Sequence, residues 1–210
     1  MKSELNRSVA VLVALAACFC AARAQAPMAA PAAQTAANDP AQSLTPVVAR
    51  FEGNLLSLAE AMPAEKYNFA PTADVFRPGS PAEFATVRTF AQQLTHVSGE
   101  PFRLFAPFGI APDPGIDVKS FDSLTSKDDI IKALKASFEY QNRVIASITP
   151  ANGFTPAGPR NLSRISALVA ILNDDGDHYG QMVEYLRMNG IIPPATVNQA
   201  HRMGQPAPQK

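Results

Sequence analysis

The sequence is poor in the residues that most often carry chemistry. It has two cysteines, three histidines and no tryptophan among 210 residues, and its net charge is zero. Both cysteines, Cys18 and Cys20, lie in the apolar N-terminal segment. A mature chain without that segment would have no thiol, which excludes disulfides, a cysteine nucleophile and thiolate metal ligands. Because no basic run is present, we expect no nucleic-acid partner.

The N-terminal segment has the pattern of a signal peptide. Two basic residues precede an apolar run that is shorter than the span of about 20 residues needed to cross a membrane. Small residues around Ala24 form a cleavage site. We therefore predict a signal peptide over residues 1–24, export to the periplasm or the medium, and no membrane span. The alternative is a lipoprotein, in which Cys18 of the run LAAC is lipidated and anchors the chain.

The mature chain is predicted to be one helical domain between two flexible ends. Residues 25–42 are rich in alanine and proline without an apolar period, which predicts a disordered tether. Residues 197–210 have a similar composition and are predicted to be a flexible tail that exposes His201. The segment 43–196 between them shows helical apolar spacing and no sustained strand alternation.

Four amphipathic helices are predicted in this segment. Each begins with a residue that can cap a first turn: Thr45 (followed by Pro46), Thr89 (with Gln92), Ser126 and Ser163. The predicted core stripe of the fourth helix is Ile165, Leu168, Leu172, Tyr179, Met182 and Leu186. Four helices that each bury one stripe do so by packing together. We therefore predict an all-α four-helix bundle with long proline-rich connecting loops.

A group of metal-ligating side chains can form between the second and fourth helices. Asp174 and His178 are four residues apart and therefore share a helix face, and His96 adjoins the apolar stripe of the second helix. If these helices are neighbours, two imidazoles and one carboxylate can bind a divalent metal ion and leave positions open. Asp175 is an alternative ligand, and Asp177 is expected to be solvated or to lie outside the ligand shell.

Each of these residues also has a plainer interpretation. A single histidine beside an apolar stripe is more often a hydrogen-bonded structural residue than a ligand, and a run of aspartates usually faces water. Glu100, four residues after His96, can simply pair with it across one turn. The spacing alone therefore leaves both a metal site and a structural role open.

Three stretches carry a family resemblance: LAEAMPAEKYNFAPT, RTFAQQLTHVSGEPFRLF and DHYGQMVEYLRMNGIIPPAT. They resemble the DinB-like family of four-helix metal-binding proteins, especially its secreted bacterial members. The resemblance implies a DinB-like bundle that binds a divalent ion through a histidine of the second helix and an H-x3-H pair of the last. His96 and His178 match two ligands, and Asp174 stands where the family has a histidine. Aspartate favours harder ions, so zinc, nickel, iron and manganese all remain candidates.

The resemblance implies an activity only in outline. Characterised relatives include metal-dependent transferases and isomerases that use small thiols, whose pKa the ion lowers. We expect a metal-dependent enzyme of hydrolase or thiol-transferase type that acts on an unidentified small molecule, with Asp175 or Glu100 as its base. The alternative is a non-catalytic metal-binding or stress-related periplasmic module. Because family relatives are often dimers, a homodimer is also expected.

Overall fold

The computed structural model describes residues 39–75, 84 and 86–206. Within them the regular structure is helical and no strand is present. The helices are α1 (Pro40–Ala61), α2 (Phe90–Phe105), α3 (Lys127–Ala146), α4 (Arg164–Met188) and α5 (Pro194–Arg202). The prediction of an all-α fold is therefore confirmed. The predicted signal peptide and most of the predicted tether lie outside the described residues.

Three of the four predicted helix starts are confirmed by their capping hydrogen bonds. At α2, the Thr89 hydroxyl accepts from the Gln92 amide at 3.2 Å, and the Gln92 side chain accepts from the Thr89 amide at 2.9 Å. At α3 the hydroxyl of Ser126 accepts from the amide of Asp129, and at α4 that of Ser163 accepts from Ser166. These caps satisfy amide groups that have no partner within the helix.

The predicted start of α1 at Thr45 is wrong, because the helix begins further upstream. The Asp39 carboxylate accepts from the Ala41 amide at 2.9 Å, and Pro40 occupies the first turn. This is the same combination of cap and proline that pointed to Thr45. Thr45 instead donates its hydroxyl to the Ala41 carbonyl at 2.8 Å. Pro46 lies inside the helix, on a turn that faces solvent.

The segment after residue 196 also differs from the prediction of a flexible tail. Helix α5 continues to Arg202 and packs against α1. Pro194 lies in its first turn, and Ala200 is buried on the side that meets the bundle. His201 is exposed, as predicted, but on a helix. Within the described residues no helix is long and apolar enough to cross a membrane.

Helices α1 and α2 each pack against both α3 and α4. Two hydrogen bonds join the ends of neighbouring helices. Lys127 Nζ donates to the Glu60 carbonyl at 2.7 Å, and the Tyr185 hydroxyl donates to the Arg88 carbonyl at 3.0 Å. The first bond holds the start of α3 beside the end of α1. The second holds the end of α4 beside the residues that precede α2.

The core face of α4 is more polar than its apolar spacing predicted. Leu168, Met182 and Leu186 are buried as predicted, whereas Ile165, Leu172 and Tyr179 are only partly buried. The positions that complete the buried face are Ile171, Asp175, His178 and Tyr185. An aspartate and a histidine therefore point into the bundle, where burial of a polar group requires a partner to offset its cost.

Candidate metal centre

The structure brings His96, Asp174 and His178 together between α2 and α4. Asp174 lies between the two histidines: its Oδ2 is 3.3 Å from His96 Nε2, and its Oδ1 is 3.5 Å from His178 Nε2. The two imidazole rings meet edge to face with their centroids 4.8 Å apart. One ligand atom from each residue lies within 4.8 Å of the other two. The predicted neighbourhood of the second and fourth helices is thus confirmed.

The spacing of each imidazole from the Asp174 carboxylate suits a small divalent cation. Metal–ligand bonds of about 2.0–2.2 Å place neighbouring ligand atoms roughly 3–3.5 Å apart. The two histidine–aspartate distances lie at that spacing. Asp174 Oδ2 is also buried without a hydrogen-bond partner among the described residues, although His96 Nε2 is near it. A buried carboxylate oxygen without a partner is costly, and a bound cation would remove that cost.

Burial favours the neutral, metal-binding form of both imidazoles. It is the main reason that the pKa of His96 is lowered, and the nearby positive charge of Arg88 lowers it further. The pKa of His178 is lowered as well, chiefly by burial, with the Asp174 carboxylate acting in the opposite direction. A neutral imidazole has a nitrogen lone pair available for a metal ion.

A chain of side-chain hydrogen bonds orients His178. Its Nδ1 contacts Gln93 Oε1. Gln93 Nε2 donates to Gln181 Oε1 at 2.7 Å, and Gln181 Nε2 donates to the Asp177 carboxylate at 2.7 Å. The Asp177 carboxylate can only accept, so Gln181 must point its NH₂ group at Asp177 and its oxygen at Gln93. Gln93 then points its oxygen at His178, which must therefore carry its proton on Nδ1. Its Nε2 is then left as a lone pair that faces Asp174 and His96.

Gln93 and Gln181 were not predicted from the sequence, although their spacing from the candidate ligands could have indicated them. Gln93 precedes His96 by three residues, and Gln181 follows His178 by three, so each glutamine lies one turn from a candidate ligand. Gln93 is only 1% exposed, which is unusual for a glutamine. Asp177, expected to be solvated or outside the ligand shell, is exposed and ends this hydrogen-bond chain.

Asp175, the alternative ligand, does not join the three converging residues. Its side chain is on the core face of α4 and only 2% exposed. Burial, followed by the negative charges of Asp174 and Glu100, raises its pKa to about 8. The raised pKa favours the protonated form of Asp175 in the metal-free protein, and a protonated carboxyl group is a poor metal ligand.

A cavity of about 560 Å³ opens beside His96. Its wall comes from α2 and from two of the connections, and includes Arg88, Thr95, Glu100, Arg103 and Asp122. Glu100 Oε1 lies 3.6 Å from Arg103 Nη2 and 3.9 Å from His96 Nε2, so the contact with His96 that its spacing allowed is present but long. The volume is in the range of small-molecule sites.

Comparison with known proteins identifies the family. The model of the DinB superfamily matches residues 48–182. The chain belongs to this superfamily. The match includes all three converging residues and agrees with the resemblance seen in the sequence.

A solved DinB-like structure has a similar fold. The crystal structure of a DinB-like protein from Bacillus cereus ATCC 10987 aligns with a TM-score of 0.58 over 73% of this chain and 95% of that chain. The two sequences are 14% identical, so the likeness concerns the fold alone. A search of curated proteins finds no match.

Proposed function

We propose that this DinB superfamily member binds one divalent metal ion through His96, Asp174 and His178. The observation that carries the proposal is the convergence of three ligand atoms around Asp174, whose Oδ2 is buried without a hydrogen bond. The hydrogen bond from His178 Nδ1 to Gln93 supports it, since metal-binding histidines almost always donate their other ring proton in this way.

The ligand set restricts the ion without selecting one. Two imidazoles suit zinc, nickel and iron, and a carboxylate makes manganese and iron(II) more favourable than a third histidine would. Three protein ligands leave coordination positions open, which is typical of catalytic rather than structural metal sites.

We further propose that the chain is a metal-dependent enzyme, of hydrolase or thiol-transferase type, whose small substrate enters the cavity beside His96. A bound divalent ion supplies a Lewis acid that polarises a substrate oxygen or lowers the pKa of a coordinated group. Glu100 lines the cavity beside His96 and is the carboxylate best placed to accept a proton. Asp175 is less suitable, because it is buried and does not line the cavity.

A non-catalytic metal-binding module is the second candidate. It is favoured by the pairing of Glu100 with Arg103 at 3.6 Å, which holds the carboxylate beside His96 in an ion pair. In such a module the bound ion would stabilise the bundle, because a ligand that binds only the folded state raises its stability.

Export is also part of the proposal. Residues 1–24 have the pattern of a cleaved signal peptide, and the lipoprotein signal at Cys18 is the alternative. The mass of the mature N-terminus distinguishes a chain that begins after Ala24 from one that begins at a lipidated Cys18.

Elemental analysis tests the metal proposal. We expect about one divalent ion per wild-type chain, and loss of that ion in Asp174→Asn and His96→Ala. His201→Ala is the matched control, because His201 is an exposed histidine on α5. Circular dichroism establishes that each variant is folded. Folded wild-type protein that takes up no zinc, nickel, iron or manganese would overturn the proposal.

The enzyme proposal needs a separate assay. Panels of ester, amide and activated thiol-acceptor substrates are offered to the metal-loaded protein and to the folded Asp174→Asn variant. Turnover that is lost together with the ion supports a metal-dependent enzyme. A loaded protein that is stabilised by its ion but turns over no substrate favours the non-catalytic module.

A further inference from the structure

The cavity beside His96 contains two arginines that the metal proposal does not use. Arg103 folds back along α2, where its Nη2 donates to the His96 carbonyl at 3.2 Å and pairs with Glu100. Arg88 is exposed, and its side chain has no hydrogen bond or ion pair within the described residues. Both guanidinium groups line the same cavity as His96.

The backbone of Arg88 is anchored although its side chain is free. The buried Tyr185 hydroxyl donates to the Arg88 carbonyl at 3.0 Å, and the cap residue Thr89 follows directly. The guanidinium is therefore attached to a fixed point on the wall of the cavity. Its charge also acts on both imidazoles, since after burial it is among the causes that lower the pKa values of His96 and His178.

The charge of the site depends on whether a metal ion is bound. Arg88 and Arg103 are opposed by Glu100, Asp122 and Asp174, which leaves one net negative charge on the metal-free site. A divalent ion would reverse the sign, and bound cations are often the largest local charges in a site. Because Glu100 engages Arg103, Arg88 is the cation left to meet an incoming group.

We propose that the cavity binds a small molecule through an oxyanion, a carboxylate or a phosphorus oxyanion, held by Arg88 with Arg103 beside it. The inference rests on the proposed metal site, because the ion supplies the charge that makes the cavity attractive to an anion. The planar guanidinium matches the two oxygens of either group. The oxyanion would orient the substrate while another of its atoms faces His96, the candidate ligand that lines the cavity.

Calorimetric titration of zinc-loaded full chain tests this inference. The probes are succinate, methylphosphonate and the neutral diamide succinamide. We expect at least one of the two anions to bind and succinamide not to bind. Tighter binding of succinate assigns a carboxylate, and tighter binding of methylphosphonate assigns a phosphorus oxyanion. Metal-free protein should bind either anion more weakly, because its site carries the opposite charge.

Variants of Arg88 separate this inference from the metal proposal. Arg88→Met should weaken anion binding by about tenfold or more, which is roughly the contribution of one charge-assisted contact. Arg88→Lys should retain part of the affinity. Arg160→Met is the matched control, because Arg160 is an exposed arginine that does not line the cavity.

Zinc content is measured on every sample. Unchanged zinc with unchanged anion affinity in Arg88→Met would overturn the anion site and leave the metal proposal standing. Equal binding of succinamide and succinate would also overturn it. If the wild type does not hold zinc, the titrations are repeated with nickel, iron and manganese. Failure to hold any of these ions would instead refute the metal proposal, and with it the charge argument for the anion.

Discussion

Gln93 Oε1 accepts a hydrogen bond from Nδ1 of His178, and this contact determines which ring nitrogen can bind a cation. The two residues lie on different helices, α2 and α4, and the bond is buried. Its direction is set by Asp177, whose carboxylate orients Gln181 and through it Gln93. An exposed acidic residue thus fixes the tautomer of the buried histidine next to it in the sequence.

Replacement of Gln93 should therefore weaken metal binding without removing a ligand. In Gln93→Met the Nδ1 proton loses its acceptor, and the tautomer that presents Nε2 is no longer favoured. We expect zinc affinity to fall by about 10–100-fold, the usual effect of losing a residue that orients a ligand. Competition with a chromophoric chelator measures the affinity. Gln199→Met, at an exposed position of α5, is the control, and equal affinity in both variants would contradict the role assigned to Gln93.

Asp175 should make the stability of the metal-free protein fall as the pH rises. Its pKa is raised in the folded state from 3.8 to about 8, chiefly by burial. The folded state therefore binds this proton more tightly than the unfolded state. The resulting stabilisation is fully present below pH 3.8 and is lost as the pH approaches 8.

Asp175→Asn should remove this loss of stability at high pH. We expect its free energy of unfolding to exceed that of the wild type by on the order of 1–3 kcal/mol at pH 8, with a much smaller difference at pH 4. Urea denaturation of metal-free protein at both pH values measures the difference. Asp122→Asn, at an exposed position, should show no comparable gain. A difference that did not depend on pH would show that the Asp175 carboxyl is not the group responsible.

The caps of α2, α3 and α4 could be predicted because they are local. Thr89, Ser126 and Ser163 bind amides within their own first turns, so the necessary information lies within a few residues. The prediction of where α1 begins was wrong for the same reason. Asp39–Pro40 and Thr45–Pro46 are equivalent local signals, and the choice between them depends on how far the helix continues.

The choice between Asp174 and Asp175 could not be made from spacing. The two residues differ by about 100° of rotation around α4, and either places a carboxylate one turn from His178. The docking of α4 on α2 and α1 decides which one faces His96, and this depends on side chains distant in sequence. The family resemblance placed the third ligand at Asp174 by its position, and it is Asp174 that lies close to both His96 and His178. The link from Gln93 to Gln181 is also long-range, which is why it was missed.

Gln141 should be a source of instability in the core. It lies on α3 and is fully buried, and neither its amide nitrogen nor its amide oxygen has a hydrogen-bond partner among the described residues. Gln141→Met keeps the length of the side chain and removes both polar atoms. We expect the free energy of unfolding to rise by about 1–3 kcal/mol, measured by urea denaturation.

Gln93→Met provides the contrast for this experiment. Gln93 is equally buried, but both ends of its amide are hydrogen-bonded, so the same substitution should destabilise the protein. Opposite signs for the two glutamines would confirm that partners, and not burial alone, decide the effect. A loss of stability in Gln141→Met would show that its amide is satisfied in solution.

Gly99 lies on α2 where the Arg103 guanidinium folds back over the helix. A Cβ atom built at Gly99 would lie 2.5 Å from Arg103 Nη1 and 3.2 Å from its Cζ. A glycine inside a helix lowers the stability by about 1 kcal/mol relative to alanine. The glycine that lets Arg103 approach the helix therefore makes the fold less stable. The atoms in the way are the far end of a flexible side chain, which can move.

Gly99→Ala should therefore stabilise the fold by about 0.5–1 kcal/mol while it displaces Arg103 from the cavity. We expect weaker binding of succinate or methylphosphonate to the zinc-loaded variant, with zinc content unchanged. Gly180→Ala is the matched control, because Gly180 is also inside a helix and its added Cβ would meet no atom within 4 Å. It should show the same gain in the free energy of unfolding and unaltered anion binding. If both variants bound the anions as the wild type does, Arg103 would have no part in the site, and Arg88 alone would have to account for it.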